Sequence, residues 1–189
     1  MKKLLFIFSL LFLIGCQDKE QKETIAAENA LFETAFSDFK DVEALADYEK
    51  ETDTSVHMGG SEDNYRLLNL RQNNENLVLF YKVADRNSSD AEALSFRAVD
   101  TLQIQPEQDE RISLGYCYHK EYYEGELVAL VKKNDSLQVG ELIRVWRANP
   151  ESESFEAIEN FEGITCLNES YEGEETSLRH LNLQSRTNQ

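Results

Sequence analysis

Proline is nearly missing from this chain: its 189 residues include two, Pro106 and Pro150. Both fall in polar stretches between apolar runs, so neither denies an N–H to a strand ladder. Basic residues are also short, with 19 Lys and Arg against 36 Asp and Glu and a formal net charge of −17. A surface of that sign repels phosphate backbones and anionic headgroups, which argues against DNA or RNA as a partner. It attracts basic proteins and divalent cations. Cysteine is confined to Cys16, Cys117 and Cys166, and no Cys-x-x-Cys spacing occurs. There is no His-Glu-x-x-His, no glycine-rich loop to cradle a phosphate, and no internal repeat. Gly59-Gly60-Ser61 lacks the strand–turn–helix setting of a nucleophile elbow. No cofactor or resident metal is expected from such a sequence.

What is present begins at the N-terminus. Lys2 and Lys3 precede an apolar run over residues 4–14 that only Ser9 interrupts. At roughly eleven residues the run is too short to cross a bilayer, which takes about 20. A basic start, a short apolar stretch and a small residue before the cut are the marks of a secretory signal. Leu13-Ile14-Gly15-Cys16 resembles the bacterial lipobox, the pattern read by lipoprotein signal peptidase. The resemblance covers only the leader. It implies cleavage before Cys16, which then carries a diacylglycerol and a third acyl chain on its amine. Two or more chains anchor stably, at about 0.8 kcal/mol per buried CH₂. Gln17-Asp18-Lys19-Glu20 resembles the export signal of surface lipoproteins of Bacteroidota. Residues 1–15 are therefore expected to be a signal peptide, and residues 16–26 an acylated cysteine and tether of roughly 30–35 Å when extended. The expected location is the outer membrane, on its surface or its periplasmic face.

The remainder suits one domain, expected over residues 27–183, with a disordered tail at 184–189. Residues 28–48 place Leu31, Phe32, Ala35, Phe36, Phe39, Val42, Leu45 and Ala46 at three- and four-residue spacing, which predicts one amphipathic helix. Residues 49–64 read as a polar connector. From Tyr65 onward the pattern turns to short apolar runs separated by polar turns, at 65–70, 77–84, 94–104, 111–119, 127–132, 142–148, 155–158 and 164–167. In the run at 111–119, Ile112, Leu114, Tyr116 and Tyr118 share one face. The expected fold class is α+β and mainly β. It is an antiparallel sheet or sandwich of about seven or eight short strands, with the N-terminal helix packed on it.

Four constellations are candidates for chemistry. Outside the cytoplasm thiols tend to pair, and a Cys117–Cys166 disulfide would close a loop of about fifty residues, worth on the order of 4 kcal/mol in loop entropy. The same cysteines with His119 are the alternative: a three-ligand metal site or a Cys–His nucleophile pair. Residues 85–92 form a polar loop rich in oxygen ligands but without the glycine of a calcium loop. Tyr116, Tyr118, Tyr122 and Tyr123, with Trp146 on a nearby strand, form an aromatic patch of the kind that grips glycan or protein surfaces. Finally, Asp100-Thr101-Leu102 and Asp135-Ser136-Leu137 resemble the short O-glycosylation sequon of exported Bacteroidota proteins, with Ser136, in a turn, the better acceptor. His57 and His180 read as surface residues.

These observations lead to an expected function: a membrane-anchored envelope lipoprotein with a non-catalytic binding or scaffolding domain, holding a basic protein or a glycan. Two alternatives stand beside it. One is a periplasmic immunity or inhibitor lipoprotein against a basic toxin or enzyme. The other is a hydrolase using carboxylates such as Glu121, Glu124 or Glu126, for which a paired geometry would be needed.

Overall fold

The computed structural model describes residues 31–32, 35–56, 65–85, 94–120, 122–139, 141–168 and 171. The leader with Cys16, the tether, His57, Gly59-Gly60-Ser61, residues 86–92, Glu121, His180 and the tail at 184–189 lie outside them. Among the described residues there are eleven strands: β1 (Glu49–Ser55), β2 (Tyr65–Gln72), β3 (Glu75–Asp85), β4 (Ser95–Ile104), β5 (Glu110–Leu114), β6 (Cys117–His119), β7 (Tyr122–Tyr123), β8 (Leu127–Lys132), β9 (Leu142–Asn149), β10 (Ser154–Ile158) and β11 (Ile164–Cys166). They form three antiparallel sheets, ordered β1-β2-β3-β4, β10-β9-β8-β5 and β11-β6-β7.

Side-chain alternation stacks these sheets. In β2 and β3, Leu67, Val78 and Phe80 point one way, and Leu68, Leu70, Leu77, Leu79 and Tyr81 the other. The first set packs against Leu114, Val128, Leu130 and Ala148 of the second sheet. In β8, Val128 and Leu130 face this inner core, while Leu127, Ala129 and Val131 face Cys117 and Cys166 of the third sheet. Phe80 is fully buried at the centre, with the rings of Tyr65 and Phe155 at 5.3 and 5.8 Å.

Polar clamps join the first two sheets at their margins. The Asp100 carboxylate accepts the N–H of Thr101 at 2.8 Å and that of Phe155, in β10, at 2.6 Å. Glu153, in the β9–β10 turn, accepts the Tyr65 hydroxyl at 2.7 Å and pairs with Lys82 of β3. Burial, and then this bond, push the Tyr65 phenol up to about 12. On the opposite margin Gly115 sits at φ +73°, and a Cβ there would lie 2.8 Å from the Thr54 hydroxyl of β1. Only glycine tolerates both that backbone conformation and that approach.

The architecture is mainly β, as the short apolar runs imply, but the described residues hold eleven strands in three sheets where about seven or eight in one sheet or sandwich were expected, and three regions depart further. No long helix occupies residues 35–48. Leu31 and Phe32 are helical, Phe36 bridges to Phe96, and the chain then makes two 3-10 turns, Phe39–Asp41 and Glu43–Leu45. The interruption is local: Asp38 and Asp41 cap the first turn reciprocally, and Val42 is extended at φ −88°, ψ 113°. The apolar residues that suggested a helix are still buried, since Leu31, Phe36, Val42 and Leu45 cover the outer face of the first sheet. The polar stretch after Tyr48 is not all connector, because β1 pairs along β2 as an edge strand whose charged side chains stay wet. The run at 111–119 breaks at Gly115 into β5 and β6, so Ile112 and Tyr118 do not share a face: Ile112 packs in the inner core and Tyr118 belongs to the third sheet.

Asp100→Ala is expected to lower stability by about 1–3 kcal/mol, because two backbone N–H groups lose their acceptor. Asp100→Asn should cost less. Urea unfolding measures both, and an unchanged midpoint for the alanine variant would show that the β4–β10 margin closes without the carboxylate.

Candidate functional site at the open end of the sandwich

The inner faces of the first two sheets are apolar along most of their length and polar at one end. On the first sheet, the positions facing inward continue from Leu67 to Asn69 and Arg71, and from Val78 to Asn76. On the second, they continue from Leu114 and Ile112 to Glu110, opposite Lys132. The end is therefore a polar cavity instead of a continuation of the core. Its volume is about 450 Å³, and Asn69, Asn76 and Ile112 are among its lining residues, with Arg71 and Glu51 on one lip and Glu107 and Lys133 on the other. The mouth of a β-sandwich or barrel, with a few convergent polar groups, is where small ligands are commonly held.

Two asparagines near the floor carry the strongest local signal. Asn69 and Asn76 are 5% and 8% exposed, and the Asn76 amide donates to the Asn69 carbonyl oxygen at 3.0 Å. That bond satisfies one donor and one acceptor, while each side-chain amide offers two of each. Buried amides are held in a core at a desolvation cost, so two side by side at a cavity edge call for a reason.

One lip is built rigidly. Glu110 is buried; its carboxylate accepts the Glu107 N–H at 2.9 Å and the Lys132 ammonium at 3.2 Å, while the Glu110 N–H returns to the Glu107 carbonyl at 3.0 Å. The Glu107 N–H bond, followed by Lys132, holds the Glu110 carboxyl below the usual range. Lys133 extends its ammonium to the Gln108 carbonyl at 2.7 Å. Glu107, Asp109 and Glu110 bring three carboxylates together, but Lys132 stands among them at 3.9, 3.0 and 3.2 Å. The Lys132 ammonium offsets part of the charge that would draw a metal ion to the cluster. On the other lip the Asn73 carbonyl, at a residue with φ 54°, accepts Arg71 Nε at 3.2 Å, and Glu51 lies 3.8 Å from its guanidinium.

The sites expected from sequence are placed elsewhere. Cys117 and Cys166 face each other across β6 and β11, are fully buried and are joined as a disulfide. In that state neither thiol is available to a metal or to nucleophilic attack, and His119, one turn of the pleat away, pairs with Glu124 at 3.6 Å instead. The structure brings Tyr118, Tyr122 and Tyr123 together on the third sheet and places Trp146 apart from them. Tyr122 is 77% exposed on the third sheet, Tyr123 stacks edge-on to Tyr118 and donates to the Gly115 carbonyl, and Trp146 packs in the inner core on the other side of β8. Glu124 and Glu126 both approach Arg147, and burial pushes the Glu126 carboxyl up. Ser136 is exposed in a bend and Thr101 is half-buried in β4. Sequence reasoning passed over the cavity. Its one available signal was Asn69 and Asn76 standing where an alternating strand should place an apolar residue.

No protein-family model matches this chain, and no curated protein is similar enough to count as a relative. The site is read from its own chemistry.

Two outcomes test this geometry. Glu110 binds its proton less readily folded than unfolded, so the stability it supplies is complete above about pH 4.5 and is lost as pH falls below it. The advantage of the wild type over Glu110→Gln in urea unfolding should shrink across that interval; an advantage that is flat with pH would refute the assignment. Replacing both Cys117 and Cys166 by alanine should cost roughly 2–5 kcal/mol, read as a lowered unfolding midpoint that reductant no longer changes.

Proposed function

We propose that the chain is a lipid-anchored envelope protein whose β-rich domain binds a partner molecule and performs no catalysis. The observation that carries this reading is the pairing of Cys117 with Cys166, buried between the second and third sheets. Disulfides persist in oxidising compartments outside the cytoplasm. The pairing also leaves Cys16 as the one cysteine outside the disulfide, at the position where the lipobox-like sequence would have it acylated. The acidic surface suits a soluble domain held away from anionic headgroups. Glu124 and Glu126 are ion-paired to Arg147, an arrangement that serves cohesion of the third sheet with β9 as readily as chemistry. A second reading, an inhibitor held at the membrane against a basic toxin or enzyme, draws on the excess of 36 acidic over 19 basic residues.

Mass spectrometry of the native protein is expected to find a chain beginning at acylated Cys16, and Cys16→Ser to move the protein from the membrane to the soluble fraction. A retained leader, or an unmodified thiol at Cys16, would overturn the anchor. Affinity capture from envelope extracts with the acylated chain as bait is expected to return a discrete partner. A basic enzyme whose activity falls on capture would support the inhibitor reading instead.

A further inference from the structure

The charged groups around the cavity differ in how firmly they are already engaged. Glu110 accepts bonds from both the Glu107 N–H and Lys132, and Lys133 is bound to the Gln108 carbonyl. Arg71 is less committed: its contacts are a 3.2 Å bond from Nε to Asn73 and a distance of 3.8 Å to Glu51. Glu107 is less committed still, with its side chain 76% exposed and Lys132 at 3.9 Å. The mouth therefore offers one loosely held cation on the first sheet and one loosely held carboxylate on the opposite loop. The paired amides of Asn69 and Asn76 line the same cavity, with Asn76 directly across the β2–β3 ladder from Arg71.

This arrangement has the chemistry of a peptide end to end. A guanidinium binds a carboxylate through parallel N–H bonds, a carboxylate binds an ammonium, and a side-chain amide offers a peptide group both a donor and an acceptor. Inorganic phosphate would face Glu51 and Glu107 as well as Arg71, and it brings no ammonium to pair with either carboxylate. Among the described residues the lining contains no aromatic ring on which a sugar would stack. A volume of about 450 Å³ admits a ligand of dipeptide size.

We infer that the open end of the sandwich binds a short zwitterionic peptide, with its carboxylate on Arg71, its ammonium on Glu107 and its amide bond on Asn69 and Asn76. This rests on reading the domain as a binding module, and it names the class of ligand.

The test uses the full acylated chain in detergent, with alanyl-alanine and other unblocked dipeptides as probes. Dipeptides blocked at both ends, glucose and inorganic phosphate serve as comparisons. Calorimetry is expected to show saturable binding of unblocked dipeptides only. Arg71→Gln and Glu107→Gln should each weaken it about tenfold, the loss of one charge-assisted contact. Asn69→Leu with Asn76→Leu should abolish binding while the melting temperature stays level or rises, because both members of a buried polar pair are replaced together by apolar groups of similar size. That combination separates a ligand site from a structural amide pair. Dipeptide binding that survives all three variants would overturn the site. Binding of phosphate or glucose alone would overturn the zwitterion assignment. No dipeptide binding at millimolar concentration, with a partner still captured from envelope extracts, would overturn this site and leave the binding-module reading in place; capture of nothing as well would remove both.

Discussion

Strand β8 is buried on both faces, and the other layers depend on that. Antiparallel sheets usually keep one face wet. Here Leu127, Ala129 and Val131 are closed by the third sheet, and Val128 and Leu130 by the first. A central strand of this kind needs two covering layers, and each layer in turn has an outer face to resolve. The first sheet solves it with the irregular segment around Phe36, Val42 and Leu45. The third sheet is small, and the Cys117–Cys166 bond links its two paired strands directly over β8 and β9.

The polar contacts lie around this stack instead of inside it. Asp100, Glu153 and the Gly115–Thr54 approach hold the margins where the first two sheets meet. At the open end the inner faces turn polar, and the lip formed by residues 107–110 is secured by its own backbone and by Lys132. Rigid walls with amides near the floor suit recognition, since little ordering is left to be done on binding. The cavity is distinct from the third sheet, where Tyr118 and Tyr123 pack edge-on and Glu124 and Glu126 approach Arg147.

Much of the β character was legible because short apolar runs bounded by polar turns read as strands from neighbouring residues alone. The runs that became β2, β3, β4, β8, β9, β10 and β11 could be read directly. The failures have particular causes. Residues 28–48 carry a helical spacing of apolar side chains, yet over 35–48 what the segment needs is only to bury them, and two 3-10 turns with an extended Val42 do so against a flat sheet. Polar β1 has no pattern of its own and is a strand because β2 offers it an edge. Gly115 hid the break between β5 and β6, since a single glycine in an alternating run reads as a local irregularity before it reads as a change of sheet. The candidate site was the least legible. Asn69 and Asn76 are seven residues apart on two strands, and each is an ordinary polar residue until the hairpin register brings them together.

By itself, the sequence determined the local terms: a leader resembling a lipobox, an acidic balance of 36 against 19, strands written as short apolar runs between polar turns, and a pair of cysteines beyond Cys16. Those depend on residue type and on neighbours one or two positions away. The tertiary structure alone decided which face of each strand is interior, that the two cysteines come within bonding reach, that Trp146 is separated from Tyr122 by β8, and that the sandwich ends in a cavity. Each of these is a contact between residues distant along the chain, set by sheet stacking, and spacing in one dimension carries no information about the layer in which a side chain comes to rest.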